Sequence, residues 1–202
     1  MTLARKKSDN DLNFSFSIDS TTLAKTPYFR DLGIIISEDL KWTQHVQSIY
    51  NSAAVKSYQV LKCFKTRNIG ILLRLFKTYV RPRLEYNTPV WSPYLLKNVN
   101  KIESVQRVFT KRACNRCGIK FSSYEDRLSI LNLNSLEKRR VINDLLLLYK
   151  MINNLSDLKF SDYFCFSNIK YNLRRNSMQI KNKQNIRLPI QPWKNSLFYS
   201  CC

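Results

Sequence analysis

Arg74, Lys77 and Arg81 follow one another at intervals of three and four residues, the spacing that puts side chains on one face of an α-helix. Cations in such a row can neutralise successive phosphates of a nucleic-acid backbone, a contact that carries no sequence information. Lys62, Lys65 and Arg67 stand just upstream, Arg83 just downstream, and Arg107, Lys111 and Arg112 repeat the device farther along. These are the candidate nucleic-acid-binding residues. The same rows would also suit a solvated helical face with no such ligand. Tyr58, Tyr79, Tyr86 and Trp91 are interleaved with them and are either base-stacking platforms or core and turn residues.

Other chemistry finds less support. A polymerase-type phosphoryl transfer needs carboxylates that hold two metal ions about 4 Å apart. The chain has no Asp-Asp pair, and its adjacent acids are Glu38-Asp39, after a strand, and Glu125-Asp126, at a helix start. His45 is the only histidine, so any Ser- or Cys-based nucleophile would have to recruit it. Nothing around it suits that role, and it is expected to cap or pack. Cys114-Asn115-Arg116-Cys117 has the spacing of half a zinc knuckle, but a closed site needs four ligands. Cys63, Cys165, Cys201 and Cys202 could join only through folding. No catalytic residue, metal or cofactor is expected in this chain.

The 202 residues carry 34 Lys and Arg against 14 Asp and Glu, a formal net charge of +20. A solvated surface does not need that imbalance, and polyanions are the obvious partners. No acid lies between Asp39 and Glu85, between Glu103 and Glu125, or after Asp162. A hydrophobic content of 44% is too high for a wholly disordered chain. Irregular cysteine spacing without a signal peptide predicts an intracellular, reducing location, nucleus and cytoplasm undistinguished. The longest apolar run, Leu145 to Leu148, is far too short to span a bilayer, so no membrane partner is expected.

Several elements must position the cations. Phe14, Phe16 and Ile18 alternate with polar residues and read as a strand, and Tyr28 to Ile36 reads as a second. Gly33 marks a bulge or a close approach. From an N-cap at Thr43, Val46, Ile49, Ala53, Val60, Leu61 and Phe64 recur at helical spacing. A second helix runs from Ile69 to Val80, burying Leu72, Leu73, Leu75, Phe76 and Tyr79, and Pro82 ends or bends it. Past the Trp91-Ser92-Pro93 turn, Val99, Ile102, Val105, Gln106 and Phe109 form a third. Ser122 to Glu125 has capping-box spacing for a short helix through Leu131. Ser135 opens a helix with Leu136, Ile142, Leu145, Leu146, Tyr149 and Ile152 on one face.

The expected fold is α+β and mainly α: a short N-terminal β-hairpin, then a multi-helix bundle and a partly irregular basic tail. The corresponding divisions are 1–42, 43–159 and 160–202.

Leu72 to Arg112, with its basic rows and Pro-Trp-Pro turn, resembles the region just past the palm of reverse transcriptases from LINE-type, jockey-like (non-long-terminal-repeat) retrotransposons. Arg30-Asp31-Leu32-Gly33-Ile34 through Asp39-Leu40-Lys41-Trp42 resembles a second passage of that family, in which His45 also has a counterpart. Ser123-Tyr124-Glu125-Asp126-Arg127-Leu128 through Leu136-Glu137-Lys138-Arg139-Arg140 resembles a third, and Tyr171-Asn172-Leu173-Arg174-Arg175 a fourth. Cys114 and Cys117 fall where the family has a different turn, and Trp193 to Leu197 is an imperfect copy of a later element.

The resemblance implies a thumb and carboxy-terminal extension, with residues 1–42 a palm remnant. It also implies that the catalytic aspartates and their Mg2+ belong to a missing palm. Such a fragment of an RNA-directed DNA polymerase would bind RNA, DNA or an RNA-DNA hybrid and would not polymerise alone. The alternative is a non-catalytic helical protein-interaction module derived from a retroelement, recruiting a protein partner on exposed apolar helix faces.

Overall fold

The computed structural model describes residues 17–22, 26–168 and 178–182. The strand positions Phe14 and Phe16, the Tyr171–Arg175 passage, the segment around Trp193, and Cys201 and Cys202 lie outside them. Within them the chain is α+β and mainly helical, with small hairpins preceding several helices.

Ser17–Ile18 (β1) pairs with Thr21–Thr22 (β2), and Tyr28–Asp31 (β3) with Ile34–Ser37 (β4), both antiparallel. The stretch expected to be one strand over Tyr28 to Ile36 thus folds back on itself. Leu32 and Gly33 both have positive φ, 44° and 85°, as a two-residue turn matched to strand twist requires. Gly33 therefore marks a turn and not a bulge.

The helices follow as Thr43–Cys63 (α1), Ile69–Leu75 (α2), Arg81–Glu85 (α3), Thr88–Trp91 (α4), Leu96–Cys117 (α5), Tyr124–Ile130 (α6) and Leu136–Ile152 (α7). Phe160–Tyr163 (α8) leads into Phe164–Asn168 (β5), which pairs with Met178–Asn182 (β6). The tail expected to be irregular therefore contains a hairpin.

Two compact units divide the chain: 1–86 with 93–133, and 87–92 with 134–202. The first unit crosses the division drawn at residue 42, because Ile34 of β4 is buried and β4 packs on α1.

Pro82 does not end the second helix. Between α2 and α3 lies one π turn, Phe76–Val80, in which the Arg81 N–H donates to the Phe76 carbonyl, and the helix continues to Glu85. A proline in a plain α-helix has no N–H for the carbonyl four residues back and clashes with it; the wider turn relieves that conflict. The π turn also explains the core stripe Leu72, Phe76, Val80 and Leu84, all fully buried at a strict spacing of four. At about 3.6 residues per turn, three steps of four would drift roughly 120° around the helix. The extra residue absorbs that drift. Phe76 stacks on Phe109 of α5 with ring centroids 4.7 Å apart.

Helix starts agree in part. Ser135 caps α7, accepting from the Lys138 N–H. The capping box of α6 sits one residue later than expected: Ser123 Oγ accepts from the Asp126 N–H, and Asp126 accepts from Ser122. Thr43 is not an N-cap. Its hydroxyl instead accepts from Asn98 Nδ2 of α5, and Trp42 precedes α1 without a side-chain cap.

Burial corrects two faces. Tyr79 is exposed, not core. On α7, Leu136 is buried but Ile142, Leu145, Leu146, Tyr149 and Ile152 are exposed, Leu146 by 52% and Tyr149 by 59%. Amphipathic spacing says which side of a helix is apolar, and not whether anything covers it.

Candidate nucleic-acid interface

Three cross-links set α1 and α5 side by side and parallel. Near their starts Asn98 donates to Thr43 at 3.2 Å. One turn on, Lys101 bonds Gln47 and lies over the Tyr50 ring, 5.4 Å from its centroid. At their ends Arg116 donates to the carbonyls of Leu61 at 2.8 Å and Phe64 at 2.7 Å. Both helices consequently end together. Lys62, Lys65 and Arg67 lie at the close of α1 and in the connector after it, and Lys111 and Arg112 stand within the last two turns of α5. These five cations are exposed, and among the described residues none is ion-paired with an acid. Lys62 also lies over the exposed Tyr58 ring, 5.8 Å from its centroid.

The remaining predicted cations divide. Arg74 and Lys77 are exposed on the helix that returns from this end. Arg81 does not complete a row with them. The π turn swings it toward the core, where it is half-buried, 3.8 Å from Glu85. Arg83 donates to Ser52 Oγ of α1 at 2.8 Å. Arg107 stacks over Tyr124, 4.9 Å from its centroid. Of the aromatic candidates, Tyr58, Tyr79 and Tyr86 are exposed, whereas Trp91 is fully buried.

Behind α5 a polar cluster fixes α6. Buried Arg127 donates from Nε to Thr110 Oγ1 at 3.0 Å and lies over Phe121 and Tyr124. Tyr124 donates to Glu103 and accepts from Gln106 Nε2. Burial, with that acceptor, pushes the Tyr124 hydroxyl well above its ordinary pKa. No sequence signal marked Arg116 or Arg127, because the carbonyls of Leu61 and Phe64 and the hydroxyl of Thr110 that they bond are distant in the chain.

His45 and Asp39 each make local structural contacts. His45 is buried and accepts the Ile35 N–H on Nδ1 at 3.3 Å, tying β4 to α1, with Trp42 edge-on to its ring. Burial, and then Arg30, lower its pKa, so it packs as a neutral ring. Asp39 accepts from Lys41 and Ser37, which hold its carboxyl at about 2. Cys63, Cys114 and Cys117 are free thiols; burial raises Cys114. Among the described residues no three His, Cys, Asp or Glu side chains gather where they could hold a metal ion. No helix among them is long and apolar enough to cross a membrane.

No family model matches the chain, and no solved structure matches it. It is similar to uncharacterized protein B0403.1 of Caenorhabditis elegans, 30% identical over 112 residues. That stretch is 55% of this chain and 57% of the relative's length. The chain thus spans little more than half of the relative it matches.

Proposed function

We propose that this chain is a non-catalytic, nucleic-acid-binding part of a LINE-type retroelement reverse transcriptase, gripping duplex through its phosphates. One observation carries the reading: parallel α1 and α5 carry Lys62, Lys65, Arg67, Lys111 and Arg112 over their last two turns and the connector after α1, and among the described residues no acid pairs with them. The ordered resemblance of passages from Arg30 to Arg175 supports it independently. An RNA-DNA hybrid presents a wide, shallow minor groove flanked by phosphates, which a protein meets by shape and charge.

The test is binding to a labelled RNA-DNA hybrid across a salt series. The native chain should show a steep negative log-log slope, about 0.9 for each phosphate neutralised on B-DNA-like duplex. A variant with Lys62, Lys65, Lys111 and Arg112 replaced by Gln should lose most of that slope and keep its helicity. Weak, salt-insensitive binding by the folded native chain would refute the reading.

The exposed apolar face of α7 favours a second reading, a helical protein-interaction module. That reading expects a salt-resistant oligomer in size-exclusion chromatography with no nucleic acid present.

A further inference from the structure

An open groove of about 360 Å³ runs along α1 beside α3, lined by Asn51, Ser52, Val55, Lys56, Gln59 and Arg83. Its two cations are held by neutral partners. Arg83 donates to Ser52 Oγ at 2.8 Å, and Lys56 Nζ donates to Gln59 Oε1 at 3.1 Å. No acid lines it. A guanidinium has five N–H donors and an ammonium three, so each cation keeps donors for a ligand after its internal bond is made. Two oriented, unneutralised cations in one groove are the arrangement that suits a tetrahedral oxyanion.

The groove also leads somewhere. Ser52, Lys56, Gln59 and Lys62 follow at intervals of four, three and three, which makes one stripe of α1. At about 1.5 Å per residue, Lys56 stands roughly 9 Å along the helix from Lys62.

Building on the proposed grip of duplex, we infer that the α1–α3 groove seats one phosphodiester of the same nucleic-acid strand that the basic end engages. Lys56 and Arg83 contact the phosphate oxygens, and Ser52 and Gln59 are positioning residues that aim the two cations. The strand then follows the α1 stripe to Lys62 and Lys65.

Four proteins decide this in the hybrid-binding salt series: the native chain, Lys56→Gln with Arg83→Gln, the charge-keeping Lys56→Arg with Arg83→Lys, and Lys138→Gln as a control for lost charge on exposed α7. The double variant should lower the slope by about one and weaken binding several-fold, while the control leaves the slope unchanged. Lys56→Arg with Arg83→Lys, which keeps both charges, should restore the native slope. If the native chain binds steeply and the double variant matches the control, the groove is wrong and the basic end stands. If the folded native chain shows no salt-dependent binding, the grip itself is wrong, and the groove with it. An inorganic phosphate titration followed by amide NMR separates the sources. Saturation of the groove by free phosphate, with no effect of the double variant on hybrid binding, would mark a small-anion site and overturn the proposal.

Discussion

Replacing Asp144 by Asn should stabilise the protein at neutral pH and have little effect in acid. Asp144 lies on α7 with Oδ1 shut off from solvent and without a hydrogen-bond partner among the described residues. Burial raises its carboxyl to about 6 from an ordinary 3.8, with Arg140 opposing. A raised acid means the fold prefers the protonated form. The stability it supports is therefore complete below about 3.8 and falls as pH rises through about 6. That displacement corresponds to at most ~3 kcal/mol at neutral pH, at about 1.36 kcal/mol per tenfold change in proton affinity. Asp144 is only half-buried, so solvent screening brings the figure to about 1–2 kcal/mol. Losing the attraction to Arg140 takes back part of it. Urea unfolding of both proteins from pH 4 to pH 8 reads the difference directly. Asp144→Asn should match the native unfolding free energy near pH 4 and exceed it by about 1 kcal/mol at pH 7 and above. A variant less stable at every pH, or an advantage that shrinks as pH rises, would refute the reasoning.

Phe76→Ala empties the fully buried contact with Phe109 and should cost about 3–5 kcal/mol in chemical denaturation. Arg116→Ala removes both bonds to the end of α1; a loss of about 1–3 kcal/mol is expected, with faster amide exchange around Leu61 and Phe64. His45 is held neutral below its ordinary pKa by burial, so the stability it supports is complete above about 6.5 and declines as pH falls. His45→Gln should flatten that acid dependence of the β4 amide signals, and an unchanged profile would show that the ring does not tie the hairpin down.

Some of this was legible in the sequence and some was not, for identifiable reasons. Ser135 announced α7 because a cap needs only a hydroxyl before the run, and its bond to Lys138 closes locally. The π turn was hidden: a stripe of four-spaced apolar residues differs from the usual period by less than one residue over any two turns. Leu32 concealed the hairpin, because a leucine with positive φ is uncommon outside glycine-like positions. The basic residues were visible one by one, yet their gathering depends on α1 and α5 being parallel. That arrangement rests on Thr43–Asn98 and Arg116–Phe64 contacts more than fifty residues apart in the chain. Lys56 reads in the sequence as one more polar position of the first helix for the same reason, since its groove exists only once α3 lies beside α1.

The parallel course of α1 and α5 has an electrical consequence. Each helix carries roughly half a negative charge at its carboxyl end from aligned peptide dipoles. Here the two like poles are neighbours, joined by the Arg116 guanidinium. Part of the positive charge at this end is therefore already balanced inside the protein, and an approaching polyanion meets about one charge less than the side chains alone suggest. Glu substitutions there would set acids against two negative poles and unwind the helix ends, so neutral Gln is the cleaner probe of binding. Rising ionic strength acts twice at this end. It screens the phosphates, and it loosens the cations' hold on the protein's own dipoles.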